Sequence, residues 1–192
     1  MIYYRNLKFE TSPDVYEPAE DSHLMAESLR VDDGERVLDM GTGVGIVALI
    51  ASSNASEVVG VDINPKAVEI ARENAKLNGT GNASFKVSDL FSTVVGRFNV
   101  IAFNPPYLPV ADEGMVERAW SGGKGGVEII KRFLLSCGSH LKPEGRVYLL
   151  VSTLNDSEEV GRLVSGAGFT SKVAGERKVP FETLTVLELT TV

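Results

Sequence analysis

Between Arg36 and Ser152 the chain alternates short apolar runs with segments of helical period, and this rhythm restricts its fold more than any other feature. The runs RVLDMG (36–41), VVGVD (58–62), SFKVSD (84–89), NVIAFN (99–104) and RVYLLVS (146–152) suit strands with a buried face on either side. IVALIASS (46–53), residues 127–140 and a stretch near 156–166 suit helices, as does DSHLMAESLR (21–30), with Leu24, Met25 and Leu29 on one face. The segment from Asn64 to Gly79 carries the fullest helix signals: Asn64 at the N-cap, Pro65 in the first turn, and Gly79 as the stop. Its inner stripe reads Ala67, Ile70, Ala71, Asn74 and Leu77. Alternation of this kind predicts a doubly wound, mostly parallel α/β sheet. Residues 168–190 have no helical period and read as two strands turning near Pro180, which makes seven strands ending in an antiparallel hairpin. Repeats, low-complexity tracts and linkers are absent, so the 192 residues are expected to form a single domain, 1–192. Residues 1–20 are expected to be an N-terminal segment packed on the ligand cleft.

Composition narrows the functional classes. Hydrophobic residues make up 43% and charged residues 23%, which is ordinary for a globular chain. No stretch approaches the ~18 consecutive apolar residues of a membrane helix, and MIYYRNLKFE lacks the apolar centre of a signal peptide. A single cysteine, Cys137, gives neither an intrachain disulfide nor a cysteine zinc site. Cys137 and the apolar stripe around it read as core. The two histidines, His23 and His140, lie far apart, so no protein-ligated metal is expected and the compartment reads as cytoplasmic. The net charge of −7 disfavours a nucleic-acid partner, because such affinity rests on Lys and Arg contacts to phosphate.

Four motifs fall at the ends of predicted strands. The first, LDMGTGVG, places Asp39, Gly41, Gly43 and Gly45 between a strand and a helix. Glycines there allow a sharp turn and close backbone approach to a ligand. A dinucleotide fingerprint would read G-x-G-x-x-G; here Ile46 stands in place of the third glycine, and the acid Asp39 precedes the first. A carboxylate at that tip repels a pyrophosphate but suits a cationic ligand such as a sulfonium amino acid. The glycines alone are equally a tight strand–helix turn. The second motif is Asp62, 21 residues beyond Gly41, where an acid can accept both hydroxyls of a ribose or simply favour a helix N-terminus. The third is Asp89 with Leu90, placed to accept from an adenine amino group and to lie against its ring, or to be an ordinary loop acid. Asp39, Asp62 and Asp89 are therefore expected around one crevice at the carboxyl ends of the strands.

The fourth motif is Asn104-Pro105-Pro106-Tyr107. Proline fixes φ and drives the preceding residue out of the helical region, so two in succession hold Asn104 and Pro105 extended. Neither proline offers an N–H, which leaves mainly carbonyl acceptors. A conjugated –NH₂ group is a poor nucleophile because its lone pair is delocalised. Gripping its two N–H groups with the Asn104 side-chain oxygen and the Pro105 carbonyl would aim that lone pair at a methyl donor. Tyr107 can stack on a planar substrate. Taken alone, the tetrapeptide is more often a proline turn capped by asparagine; its place at a strand tip after the other three motifs favours the chemical reading. The loop 112–126 lacks the G-x-x-x-x-G-K-[ST] phosphate pattern; it reads as a connection, or as a wall over the substrate anchored by Trp120.

Asp39-Met-Gly-Thr-Gly-Val-Gly, Asp62 and Asn104-Pro-Pro-Tyr resemble class I S-adenosylmethionine-dependent methyltransferases acting on amino nitrogens. VYEPAEDS (15–22), FNPPY, AWSGGKGG (119–126) and ETLTVLEL (182–189) narrow the resemblance to the HemK-like release-factor glutamine methyltransferases, in their eukaryotic and archaeal branch. That resemblance implies a Rossmann-like fold, the cofactor S-adenosyl-L-methionine, and transfer to the glutamine of a Gly-Gly-Gln loop in a class 1 release factor. It also implies a small zinc-binding activator as heterodimer partner. Carried over by position, Ser22, Asp39, Gly41, Gly43, Asp62, Ile63, Asp89, Leu90 and Asn104 would contact the cofactor. Asn104, Pro105, Pro106 and Tyr107 would hold the glutamine, with Trp120 nearby. Ser22 stands where threonine is commoner and keeps the hydroxyl. The alternatives are an adenine or guanine amino-group methyltransferase on DNA or RNA, a lysine methyltransferase, and a non-catalytic nucleotide-binding module.

Overall fold

The computed structural model of the chain describes residues 1–106 and 126–192. Its centre is a seven-stranded sheet built from β3 (Arg36–Met40), β4 (Glu57–Asp62), β5 (Ala83–Val87), β6 (Phe98–Phe103), β7 (Leu141–Ser152), β8 (Phe169–Val179) and β9 (Glu182–Thr191). The spatial order is β5-β4-β3-β6-β7-β9-β8. Strands β5 to β7 in that order run parallel, and β9 and β8 join antiparallel beyond β7. The chain leaves β3 toward β4 and β5, then returns to place β6 on the other side of β3. The order therefore reverses between β3 and β6, the place where open α/β sheets bind ligands.

Side-chain alternation along the strands feeds two cores, one on each face. Val37, Val100, Ala102, Tyr148 and Leu150 point to one face, where they meet α1 (Glu20–Ser28), α2 (Ile46–Ala51) and α3 (Pro65–Leu77). Leu38, Ile101, Phe103, Val147 and Leu149 point to the other, against α4 (Val127–Cys137) and α5 (Ser157–Gly166). Coverage on both faces explains why the central strands read as unbroken apolar runs. Cys137 is fully buried in the second core, and burial pushes its thiol up to about 12, beyond ordinary reactivity.

The expected caps of α3 are present. Asn64 Oδ1 accepts the Lys66 N–H at 2.9 Å, Pro65 opens the helix, and Gly79 leaves it with φ +65°. Its inner face differs from the expected stripe at three positions. Leu77 is 45% exposed, while Val68 and Ala75 are buried and Asn74 is buried completely. The Asn74 amide bonds Glu10 N, Glu10 O and Val44 O, so it serves as a polar tie to the N-terminal segment.

That segment holds a hairpin the sequence reading did not resolve, β1 (Ile2–Tyr4) paired with β2 (Leu7–Phe9). Each strand is three residues long, too short to display a period. Strand β7 starts at Leu141 rather than 146, because Leu141 pairs with Phe98 before a register shift. Lys142-Pro143-Glu144-Gly145 is thus an irregularity within a strand, with Glu144 at φ +62°, and α4 ends at Cys137, followed by a 3₁₀ turn over Gly138–His140. The helix expected over 21–30 runs from Glu20 to Ser28, and that expected over 46–53 ends at Ala51. The closing hairpin turns at Pro180–Phe181 as its proline predicts.

Candidate active site at the β3–β6 switch point

Strand β3 delivers Asp39 to the switch point, and the chain then turns through Gly41, Gly43 and Gly45 at φ +68°, +53° and +89°. Three left-handed residues in a five-residue turn form at little cost only if all three are glycine, which has no Cβ. At Gly43 an added Cβ would meet nothing within 4 Å, so the turn presents bare backbone to open space. Asp39 is 3% exposed; its Oδ2 accepts from Thr42 Oγ1 at 2.6 Å and from the Ala48 N–H at 3.1 Å. Its carboxyl therefore braces the turn and the first turn of α2. Burial raises its pKa to about 7 against these two bonds, with repulsion from Asp62 adding to the rise.

Strand β4 ends in Asp62, 9% exposed. Its Oδ2 accepts the Gly43 N–H at 2.9 Å and its Oδ1 the Asn64 N–H at 2.9 Å. Burial raises its pKa, while the backbone donors of Asn64, Gly43 and Ile63 pull it down. Each oxygen keeps a further lone pair, so a diol can still be accepted. Ile63, next along the chain, is 45% exposed, an apolar surface beside the acid. Asp89 lies two residues past the end of β5, and both its oxygens accept from Arg132 Nη2, at 3.0 and 2.9 Å. The pair is about half exposed, so Asp89 is a shared acceptor at the rim. Leu90 follows at φ +47°, partly buried against the second core.

Strand β6 ends at Phe103 and hands on Asn104, Pro105 and Pro106. An added Cβ on Gly41 would lie 3.6 Å from the Asn104 carbonyl oxygen, so the glycine turn and the NPP segment abut. The Asn104 amide donates from Nδ2 to Asp21 Oδ2 at 3.0 Å. Its Oδ1 is buried and has no hydrogen-bond partner, alone among the buried side-chain N and O atoms of the described residues. An acceptor left in that state costs about 1–3 kcal/mol, and such orphans call for a ligand, a water or strain. Asp21 is 3% exposed in the first turn of α1. Its Oδ1 accepts from the Ser22 N–H at 2.6 Å, Ser22 Oγ at 3.3 Å and Tyr16 Oη at 3.3 Å. Ser22 thus sits one contact from Asn104. Tyr107 and Trp120, and most of the 112–126 loop, lie outside the described residues.

The glycine turn thus joins the three strand ends: Asp39 braces it through Thr42, Asp62 accepts from Gly43, and Gly41 lies against Asn104. Ser88, next to Asp89, donates its N–H to the Asp62 carbonyl. Asp21 was missed in the sequence. The available signal was an acid in the first turn of a helix that buries Leu24, Met25 and Ala26 a turn later, within EPAEDS.

This sheet, with an acid-flanked glycine turn at its switch point, defines the class I, Rossmann-like methyltransferase fold. A chain of the E. cuniculi Mtq2–Trm112 complex, responsible for methylating the eRF1 translation termination factor, superposes with a TM-score of 0.73 at 26% identity, over 93% of this chain and 99% of that one. A Pyrococcus furiosus methyltransferase shares the fold with a TM-score of 0.73 at 24% identity, over 97% of this chain and 90% of that one. The chain belongs to the methyltransferase small domain family, which matches residues 6–178. It is 42% identical to a putative protein N5-glutamine methyltransferase of Methanocaldococcus jannaschii, over 97% of both chains. It is also 33% identical to the human methyltransferase HEMK2, over 92% of this chain and 90% of that one. Among the described residues, no helix is long and apolar enough to cross a membrane.

Proposed function

We propose that this methyltransferase uses S-adenosyl-L-methionine to methylate the side-chain amide of the glutamine in the Gly-Gly-Gln loop of a class 1 release factor, in the cytoplasm. The observation that carries the reading is the orphaned, buried Asn104 Oδ1 at the tip of β6. A carboxamide nitrogen is nearly non-nucleophilic, and an acceptor aimed at its N–H is what it requires. The names of the relatives, protein glutamine methyltransferases among them, support the same substrate class.

The crevice suits the cofactor. Gly43 offers open backbone for its amino-acid end, Gly41 lets the turn lie close against Asn104, and Asp39 lies beneath that turn, favouring a cationic ligand. Asp62 would accept the ribose hydroxyls with the lone pairs its backbone donors leave, and Ile63 and Leu90 would flank the adenine. Asp89, shared with Arg132, would meet the adenine amino group, and Ser22 and Asn104 would close the near side. When bound, the cofactor supplies an electrophilic methyl group on a sulfonium.

The chain's own residues do the rest. Asn104 Oδ1 and the Pro105 carbonyl would each accept one N–H of the glutamine amide, turning its lone pair toward the crevice. Both acceptors gain strength as positive charge develops on nitrogen, so they favour the transition state over the ground state. The nitrogen then gives one proton to solvent. Pro105 and Pro106 hold the acceptors rigid, and Tyr107 and Trp120 would stack on or wall the substrate. A small zinc-binding activator would pair with the β5 edge. The test is transfer of labelled methyl to purified release factor and, separately, to RNA, with the product located by mass spectrometry. Label on the glutamine of Gly-Gly-Gln supports the reading; label on RNA alone overturns it.

A further inference from the structure

We infer that Asp21 is a positioning residue, fixing which end of the Asn104 amide faces the substrate and so committing the site to hydrogen-bond donors. This rests on the reading of Asn104 given above. The Asn104 amide is nearly symmetric in shape, and only its partners decide where oxygen and nitrogen lie. A carboxylate has acceptors and no donor. With Asp21 Oδ2 at 3.0 Å, Asn104 must turn Nδ2 toward it. The flipped amide would set two oxygens against each other in a buried site.

Asp21 is itself held from the other side. Tyr16 and Ser22 supply three donors to Oδ1, which leaves Oδ2 aimed at Asn104. The consequence is the unpaired Asn104 Oδ1 on the opposite side of the amide. A group bringing N–H is welcomed there, whereas a carboxylate or carbonyl oxygen is repelled. The contact joins the first turn of α1 to the tip of β6 across 83 residues of sequence, so the N-terminal segment acts on the chemistry through Asn104.

Asp21→Asn replaces the carboxylate with a group of the same shape that can donate to Asn104 Oδ1, removing the bias and consuming the acceptor. Single-turnover methyl transfer to the release factor should fall at least ~30-fold, near the scale of losing one transition-state hydrogen bond. Cofactor affinity should stay within about threefold. The exchanged pair, Asp21→Asn with Asn104→Asp, restores an amide–carboxylate contact and leaves a carboxylate oxygen facing the substrate. It should recover at least ~10-fold over Asp21→Asn. A merely structural Asp21 would show no such recovery. Should Asp21→Asn not fold, the exchanged variant carries the test, with transfer above about one-tenth of wild type expected.

A second readout needs no substrate. The Asn104 side-chain amide protons, assigned by their loss in Asn104→Ala, should shift in the NMR spectrum of Asp21→Asn. A failure of wild type to methylate the release factor would overturn the substrate reading and leave this spectrum to judge Asp21. Near-normal transfer by Asp21→Asn, a folded but inactive exchanged pair, or an unmoved Asn104 amide signal would each overturn the role assigned to Asp21.

Discussion

Asp62 accepts the backbone N–H of Gly43 at 2.9 Å, joining the tip of β4 to the glycine turn that follows β3. One carboxylate thus shapes the turn and offers its remaining lone pairs to a ligand. Asp62→Ala removes both functions. Affinity for S-adenosylmethionine should drop more than tenfold, since charge-assisted bonds contribute about 1.5–3 kcal/mol each. Stability should also fall by roughly 1–3 kcal/mol, because the Gly43 and Asn64 donors lose their acceptor. Calorimetry on the folded variant checks the first, and denaturant melts the second. Unchanged cofactor affinity would remove Asp62 from the site.

The buried Asp39 predicts a pH dependence. Its carboxyl moves from an ordinary 3.8 up to about 7 on folding, through burial. Between those values the folded chain holds a proton that the unfolded chain releases, so this group's contribution falls as pH rises through the window. Asp39→Asn should flatten that decline, which shows in the difference between wild-type and variant melts from pH 4 to 8. A cationic ligand favours the charged carboxylate, so cofactor affinity should rise from pH 6 to pH 8 in wild type and much less in Asp39→Asn. Parallel pH profiles for the two proteins would contradict this.

Strand β5 forms one edge of the sheet. Two of its carbonyls are covered by side chains: Phe85 O accepts from Arg72 at 3.1 and 2.6 Å, and Val87 O accepts from Thr93 Oγ1 at 3.0 Å. Such covering blunts an edge against indiscriminate pairing. A partner adding a strand there must displace both side chains. Hydrogen exchange over residues 83–88 should slow when the proposed activator binds. Equal exchange with and without it would place the activator elsewhere.

Much of the fold was legible because each of its signals is local. The strands β3, β4 and β6 are apolar along their middles since both sheet faces are covered, and Asn64, Pro65 and Gly79 bracket α3 through local capping and backbone geometry. The three-residue strands of the N-terminal hairpin were not legible, being too short to show alternation. Leu77 fitted the inner stripe by spacing, yet it is the last residue of α3 and is 45% exposed, to one side of the face that Ala67, Val68, Ala71, Asn74 and Ala75 bury. In the site, the strand-end acids were readable because a topology places strand ends together. Asp21 was not, because its partner Asn104 is 83 residues away and only the folded chain joins α1 to β6. The Arg132 pairing of Asp89 was hidden for the same reason.

The central claim is that Asn104 chiefly holds the substrate amide, with only a minor contact to the cofactor. Asn104→Ala deletes the orphaned acceptor and leaves Asp39, Asp62 and the glycine turn in place. The direct measurement is single-turnover methyl transfer to a Gly-Gly-Gln-containing release factor, with cofactor titration on the same protein. Transfer should fall at least ~100-fold, while cofactor affinity changes less than about tenfold, or ~1.4 kcal/mol. Near-normal transfer by a folded Asn104→Ala would contradict the account and reduce the segment to the end of a strand.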